Sequence, residues 1–256
     1  MPATDLDLLI DAARAAGDIA TTHFAASPEV WDKPDDAGPV TETDLAVDTM
    51  LRNTLSAARP DYGWLSEETE DTPARLTADS LFIVDPIDGT RAFIEKSKDW
   101  SHSLAIAQHG EITAAVIYLP LRDMLFAAQK GGGTTLNGAS ITTTLQTSID
   151  GSNVLATRPN MDPKHWENGT PSFKRHFRSS LAYRMALVAN GQFDAMLTLR
   201  PTWEWDIAAG ALIVTEAAGT TTTRKGAPLR FNNPHPQVDG VIAGGGLHAP
   251  LLAALA

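Results

Sequence analysis

The chain has 256 residues, 43% of them hydrophobic, a net charge of −11 and no cysteine. That length allows one large domain or two closely joined ones, and the missing thiols exclude cysteine nucleophiles, disulfides and cysteine-bound metal. No basic block points to a nucleic-acid polymer, no apolar run is long enough to cross a bilayer, and the acidic start Met1-Pro2-Ala3-Thr4-Asp5 lacks the features of a signal peptide. A soluble, cytoplasmic protein that binds neither membrane nor nucleic acid is expected.

In chain order, Thr4 caps a first helix with Asp7 three residues on, and Leu6, Leu9, Ile10, Ala13 and Ala20 follow at helical spacing. Residues 28–42 are rich in Pro, Asp and Gly and read as an exposed loop. Thr43 is expected to cap a second helix with Val47, Met50, Leu51 and Leu55 inside. Leu81–Val84 reads as a buried strand. Ser103–Gln108, Ile112–Leu119 and Met124–Ala128 read as short strands reversed at His109-Gly110 and Leu121-Arg122-Asp123, which implies an antiparallel sheet. After the Thr-rich stretch 142–144 the texture changes to strand 154–157, helix 182–189, strand 194–199, helix 207–218 with Gly219 as its cap, and strand 238–243. That alternation suggests a more parallel α/β half. The expected division is 1–145, an α+β unit with an antiparallel sheet, and 146–256, an α/β unit.

Asp85-Pro86-Ile87-Asp88-Gly89-Thr90 is the most informative stretch. Two carboxylates this close repel when ionised unless a cation lies between them, and Mg²⁺ takes oxygen ligands of this kind. Pro86 turns the chain, Gly89 lets backbone approach a ligand, and Thr90 opens a helix whose free N–H groups favour phosphate. Taken alone, such a stretch at a strand end is more often just a capped turn. At −11, a bound cation or local basic patch has to offset repulsion of any anionic substrate.

Three further pieces join it: Val40-Thr41-Glu42-Thr43-Asp44, Ser66-Glu67-Glu68 after Tyr62-Gly63-Trp64-Leu65, and Trp205-Asp206-Ile207-Ala208-Ala209-Gly210. In order and spacing this set resembles the inositol monophosphatase superfamily of metal-dependent, lithium-sensitive phosphatases. Gly131, Gly133 and Asn137-Gly138 match as hairpin glycines, and the similarity runs from Lys33 to Gly219. The resemblance implies an α/β layered αβαβα sandwich with the site between its two parts. It implies that Glu67, Asp85, Asp88, Asp206 and the Ile87 carbonyl hold two Mg²⁺ ions, and that Asp44 holds a third, near Lys33. It further implies that Thr90 and Glu67 activate the attacking water and that the Gly89 and Thr90 amides hold the phosphate. Such a site hydrolyses a phosphate monoester with no covalent intermediate. The family has Gly where Ser66 stands, so a left-handed backbone there would be strained.

For the substrate, a small phosphorylated metabolite is expected. Inositol monophosphatases carry a substrate-binding Glu where this chain has Leu199. Arg200-Pro201-Thr202-Trp203-Glu204-Trp205-Asp206 and 226–232 look more like bacterial 3′(2′),5′-bisphosphate nucleotidases. By the same resemblance Ser180 and Arg184 belong to the nucleotide pocket, beside Asp88, Gly89, Thr90 and Asp206. Adenosine 3′,5′-bisphosphate is the leading expectation. An inositol or sugar phosphate, histidinol phosphate and a catalytically silent binding protein on the same fold are the alternatives. A metal-free two-carboxylate glycosidase is a further class, which an EDTA test separates. The resemblance leaves a homodimer open. The glycines 131–133 read as a turn and not a phosphate loop, Glu42 and Glu68 as exposed bystanders, and no histidine as a metal ligand. Trp205 reads as core, and Trp203 as core or a stacking surface.

Overall fold

Continuous apolar runs mark strands covered on both faces, and the centre of this molecule is built that way. In the computed structural model the described residues are 3–26, 28–33 and 38–256, so the expectations for residues 1, 2 and 34–37 lie outside them. Helix α1 (Asp5–Ala26) is capped by Thr4, whose hydroxyl accepts from the Asp7 N–H at 3.1 Å, as expected. Strands β1 (Val30–Asp32) and β2 (Pro39–Thr41) pair antiparallel within the segment read as a loop. Helix α2 (Glu42–Ala58) begins one residue before Thr43. Its cap is Thr41, in a capping box with Asp44.

Next come β3 (Gly63–Ser66), β4 (Ser80–Asp88), the short helix α3 (Thr90–Ile94), β5 (Ser101–Gln108), β6 (Glu111–Leu119), β7 (Met124–Gln129), β8 (Thr134–Leu136) and β9 (Ala139–Ser140). They form one seven-stranded sheet in chain order, parallel only between β3 and β4. Period-two alternation assigns the two faces. Phe82, Val84, Leu104, Ile106 and Val116 pack under α1 and α2, and Leu81, Ile83, Ala105 and Ile117 face the other way.

The second half supplies β10 (Asn153–Leu155), β11 (Lys174–His176), α4 (Leu181–Ala189), β12 (Ala195–Thr198), β13 (Thr202–Trp203), α5 (Glu204–Glu216), β14 (Thr220–Thr222), β15 (Gln237–Val238), β16 (Val241–Gly244) and α6 (His248–Ala254). The five-stranded sheet β11-β10-β12-β16-β14 is mixed and not wholly parallel: β10 runs parallel to β11 and β12, while β16 is antiparallel to β12 and β14. Helices α4 and α5 fill the space between the two sheets, and α6 covers the outer face of the smaller one. The layers are therefore α1/α2, large sheet, α4/α5, small sheet, α6, which is the αβαβα sandwich.

Helix α5 starts three residues earlier than its apolar run suggested. It ends with Ala218 in the left-handed region (φ 62°), the position expected of Gly219. Gly219 is needed for space instead: a Cβ there would lie 2.7 Å from Val214 and 2.9 Å from Thr143. At this far end the Glu216 carboxylate accepts the Gly131 and Gly133 N–H groups at 2.8 and 2.9 Å. The 131–133 turn thus grips a protein carboxylate.

Candidate active site

Strand β4 does not stop at Val84. Its pairing with β5 continues to Asp85 opposite Ser103 and resumes at Asp88 opposite Ser101, with Pro86 and Ile87 bulged out. The bulge brings both aspartates toward the start of α5, whose first turn carries Asp206. Carboxylate oxygens of Asp85, Asp88 and Asp206 lie within 4.8 Å of one another. Burial, then the neighbouring acids, push the Asp85 and Asp206 carboxyls well above the usual range. Asp88 is pushed up to about 6 by burial, against three hydrogen bonds that favour its charge. These come from Ser180 Oγ at 2.6 Å, the Ala182 N–H at 2.6 Å and the Leu181 N–H at 3.2 Å. Asp85 Oδ1 is buried with no hydrogen-bond partner among the described residues. A buried acceptor without a donor, among acids that disfavour one another's charge, fits a divalent cation with oxygen ligands.

Glu67 follows β3, held by its N–H to the Val84 carbonyl at 3.2 Å, and lines the same cleft. Lys33 Nζ bridges Glu67 Oε1 and Glu68 Oε1 at 2.8 and 2.7 Å. Burial opposes the lysine's charge, but the two glutamates outweigh it and hold its pKa up. Glu68 is thus no bystander: its side chain is 4% exposed, and burial followed by Glu67 pushes it up to about 7. Glu42 is exposed, as expected. Ser66 carries no left-handed backbone, so the strain expected there is absent. Its hydroxyl donates to Asp48 Oδ1 at 2.5 Å, and Thr69 Oγ1 donates to Asp48 Oδ2 at 2.7 Å. Asp48 therefore pins both sides of Glu67.

Asp44 is buried beside this group. Thr41 N–H and Oγ1 donate to its Oδ2 at 2.9 and 2.5 Å, and Thr90 Oγ1 lies 3.1 Å from its Oδ1 and 3.2 Å from the Ile87 carbonyl. Burial raises the Asp44 carboxyl above its ordinary value. Gly89 sits at φ 102°, where a Cβ would meet the Asp99 carbonyl at 3.1 Å, so glycine is required. His102, fully buried, donates from Nδ1 to the Pro86 carbonyl at 2.5 Å, and burial lowers its pKa to about 4. It is a neutral strut under the bulge.

The cleft has a volume of about 630 Å³. Its second wall holds Ser179, Arg184 and Arg200, with the half-exposed Phe177 beside them. Arg184 donates from Nε to the Arg178 carbonyl at 2.6 Å and lies over the Phe177 ring at 4.7 Å. Ser180 does not line the cleft. It is fully buried, caps α4 by accepting from the Tyr183 N–H at 2.9 Å, and spends its proton on Asp88. The sequence reading missed Arg200 as a cleft residue, although it stands beside Leu199. Leu199 itself is 6% exposed and packs in the core of the small sheet. Trp203 and Trp205 stack at 4.7 Å and 9° outside the cleft lining.

Comparison with known proteins agrees with this geometry. A family model described as the inositol monophosphatase family matches residues 2–256. An inositol monophosphatase of Dictyostelium discoideum is 34% identical over 203 residues, 73% of this chain and 72% of that one. The Nus factor SuhB of Escherichia coli is 30% identical over 228 residues, 84% of this chain and 83% of that one. The solved structure of an IMPase from Thermotoga maritima superposes with a TM-score of 0.82 at 28% identity, covering 96% and 94% of the two chains. A five-layer sandwich with an acidic cluster at the bulge of β4, matched over nearly its whole length, belongs to the inositol monophosphatase family, whose phosphatases work with Mg²⁺.

Proposed function

We propose that the protein hydrolyses a small phosphate monoester with Mg²⁺ held by Glu67, Asp85, the Ile87 carbonyl, Asp88 and Asp206, and that adenosine 3′,5′-bisphosphate is its substrate, giving AMP and phosphate. The observation that carries the reaction class is the convergence of Asp85, Asp88 and Asp206 around an unpartnered, buried Asp85 oxygen. Bound there, Mg²⁺ offsets the charge of the phosphate dianion, lowers the pKa of water and stabilises the leaving alkoxide. A third Mg²⁺ is assigned to Asp44. The chain's own contribution is proton handling. Thr90 Oγ1, with its hydrogen aimed at Asp44 Oδ1, leaves a lone pair for the attacking water. As the water attacks phosphorus, its proton passes to Thr90 Oγ1 and the Thr90 proton passes to Asp44. Asp44 Oδ1, at hydrogen-bond distance from Thr90 Oγ1, is placed to accept that proton. The Gly89 and Thr90 amides are assigned to the phosphate.

The substrate rests on the second wall. Leu199 offers no carboxylate to an inositol ring, and Arg184 and Arg200 put two cations beside the cluster, suited to a second phosphate. Likeness to the Dictyostelium inositol monophosphatase favours a second reading, inositol monophosphate.

The test is phosphate release from adenosine 3′,5′-bisphosphate, inositol 1-phosphate, fructose 1,6-bisphosphate and histidinol phosphate, each with Mg²⁺, with EDTA and with Li⁺. Preference for the nucleotide, lost in EDTA, is expected. Arg200→Ala should raise KM for the bisphosphate about tenfold, in line with loss of one charge-assisted hydrogen bond, and leave inositol 1-phosphate unaffected. Preference for inositol phosphate keeps the metal site and overturns the nucleotide reading.

A further inference from the structure

Among the buried charged side chains without a part in this chemistry are Arg75 at 3% exposure and Glu204 at 0%. Glu204 opens α5 two residues before Asp206. Its Oε1 accepts from the backbone N–H of Asn233 at 2.9 Å and from Asn233 Nδ2 at 2.7 Å, and its Oε2 accepts from the Asn232 N–H at 2.7 Å. Its own N–H donates to the Pro236 carbonyl at 2.9 Å. Arg75, from the turn between β3 and β4, grips the same loop on its other side. Nη1 donates to Asn232 Oδ1 at 2.6 Å and Nη2 to the Asn233 carbonyl at 2.9 Å, while Nε and Nη2 hold Asp71 at 2.6 and 2.9 Å. Asn232 sits at φ 65°, a left-handed position that asparagine tolerates and most residues do not.

Such a network, linking a turn of the large sheet to the first turn of α5, costs desolvation that hydrophobic side chains would avoid. What it supplies is direction. Helix α5 is apolar nearly all round, with Ile207, Ala208, Ala209, Ala211, Leu212, Ile213 and Val214 all buried. A surface of that kind buries similar area after a small slide or rotation. One residue of slip moves a side chain about 1.5 Å along the axis, whereas a metal ligand must be held to about 0.5 Å. The N-cap Trp203 gives no side-chain cap bond; Ser103 Oγ donates to the Trp205 carbonyl at 3.0 Å, and the hydrogen bonds of the Glu204 carboxylate are the other directional side-chain contacts at this end.

We propose that Glu204, clasped by the Asn232–Asn233 loop and through it by Arg75, is a positioning residue that sets the register of α5 and so delivers Asp206 to the metal-binding carboxylates. The proposal rests on Asp206 being a Mg²⁺ ligand. The experiment is calorimetric titration of Mg²⁺ into the full-length protein without substrate, with melting temperature measured in parallel. Glu204→Gln sets an amide N–H₂ against a backbone N–H and should weaken Mg²⁺ binding about tenfold. Asn233→Ala removes one of three donors, keeps both backbone bonds, and should weaken binding about threefold; it alone decides if Glu204→Gln does not fold. A merely supportive role would lower the melting temperature and leave the Mg²⁺ affinity of the folded protein unchanged. Wild-type affinity in either folded variant overturns the proposal. Absence of Mg²⁺ binding in the wild-type protein overturns the reading of Asp206 first. A failed bisphosphate assay touches neither.

Discussion

The hydroxyl of Thr90 has two acceptors within reach, Asp44 Oδ1 at 3.1 Å and the Ile87 carbonyl at 3.2 Å, and only the first can take its proton away. Thr90→Ala should therefore lower kcat by about 10²–10⁴ and change the Mg²⁺ affinity by less than about threefold, while Thr90→Ser retains most of the rate. Steady-state kinetics across a Mg²⁺ titration checks this; a change confined to Mg²⁺ affinity would remove Thr90 from proton transfer. The contiguous residues Asp85 to Thr90 were legible because six neighbours in sequence carry the whole message. Glu67 and Asp206 were legible only through the family pattern, since nothing near them in sequence announces a metal. Thr41 as the helix cap was present in the sequence as Thr41-x-x-Asp44, the capping box that the Thr43 reading passed over. Arg200, Asp48 and the burial of Ser180 had no local signature, because each is defined by partners that only the fold brings near.

Among the elements, α4 and α5 matter most, since one offers its N-terminal amides to Asp88 and the other carries Asp206. Their approach depends on Gly210: a Cβ there would lie 2.6 Å from both Cβ and Sδ of Met185. Met185 Sδ can swing aside, but its Cβ moves only with the α4 backbone. Gly210→Ala should thus push the helices apart and cost about 1–3 kcal/mol, read as a lower midpoint in chemical denaturation; an unchanged midpoint would show that the pair can relax at no cost. The strands of the large sheet were legible from period two and tight turns. The start of α5 was not, because the charged Glu204 and Asp206 interrupt the apolar pattern for reasons of partners and not of periodicity. The small sheet looked parallel from its helix–strand alternation, yet β16 enters antiparallel after a long excursion that alternation cannot encode.

For the whole molecule, pH dependence follows from the acids crowded between the layers. Without Mg²⁺, Asp85, Asp88 (about 6) and Asp206 hold protons in the folded state that the unfolded chain has released. Their contribution to stability is therefore full below the unfolded carboxylate pKa, about 3.9, and is lost as pH rises through the folded values. Mg²⁺ binds the deprotonated forms, so the rise in melting temperature on adding Mg²⁺ should grow from about pH 5 to about pH 7.5. His102 acts with the opposite sign, its folded pKa lowered to about 4 by burial, so the comparison is made with and without Mg²⁺ at each pH. A Mg²⁺ effect independent of pH would mean that these carboxyls do not hold the ion.

The double anchoring of α5 bears on how the protein matures. Its far end is tied to the turn at 131–133, upstream in the chain, and its near end to the loop at 232–233, downstream. A ribosome that has just delivered Glu216 has made every carboxylate of the cluster, and both partners of half of the mooring of that helix already exist. The other half is still to be synthesised. The acids are thus complete as chemistry before they are complete as geometry, and the nascent chain carries them unassembled until its last stretch emerges.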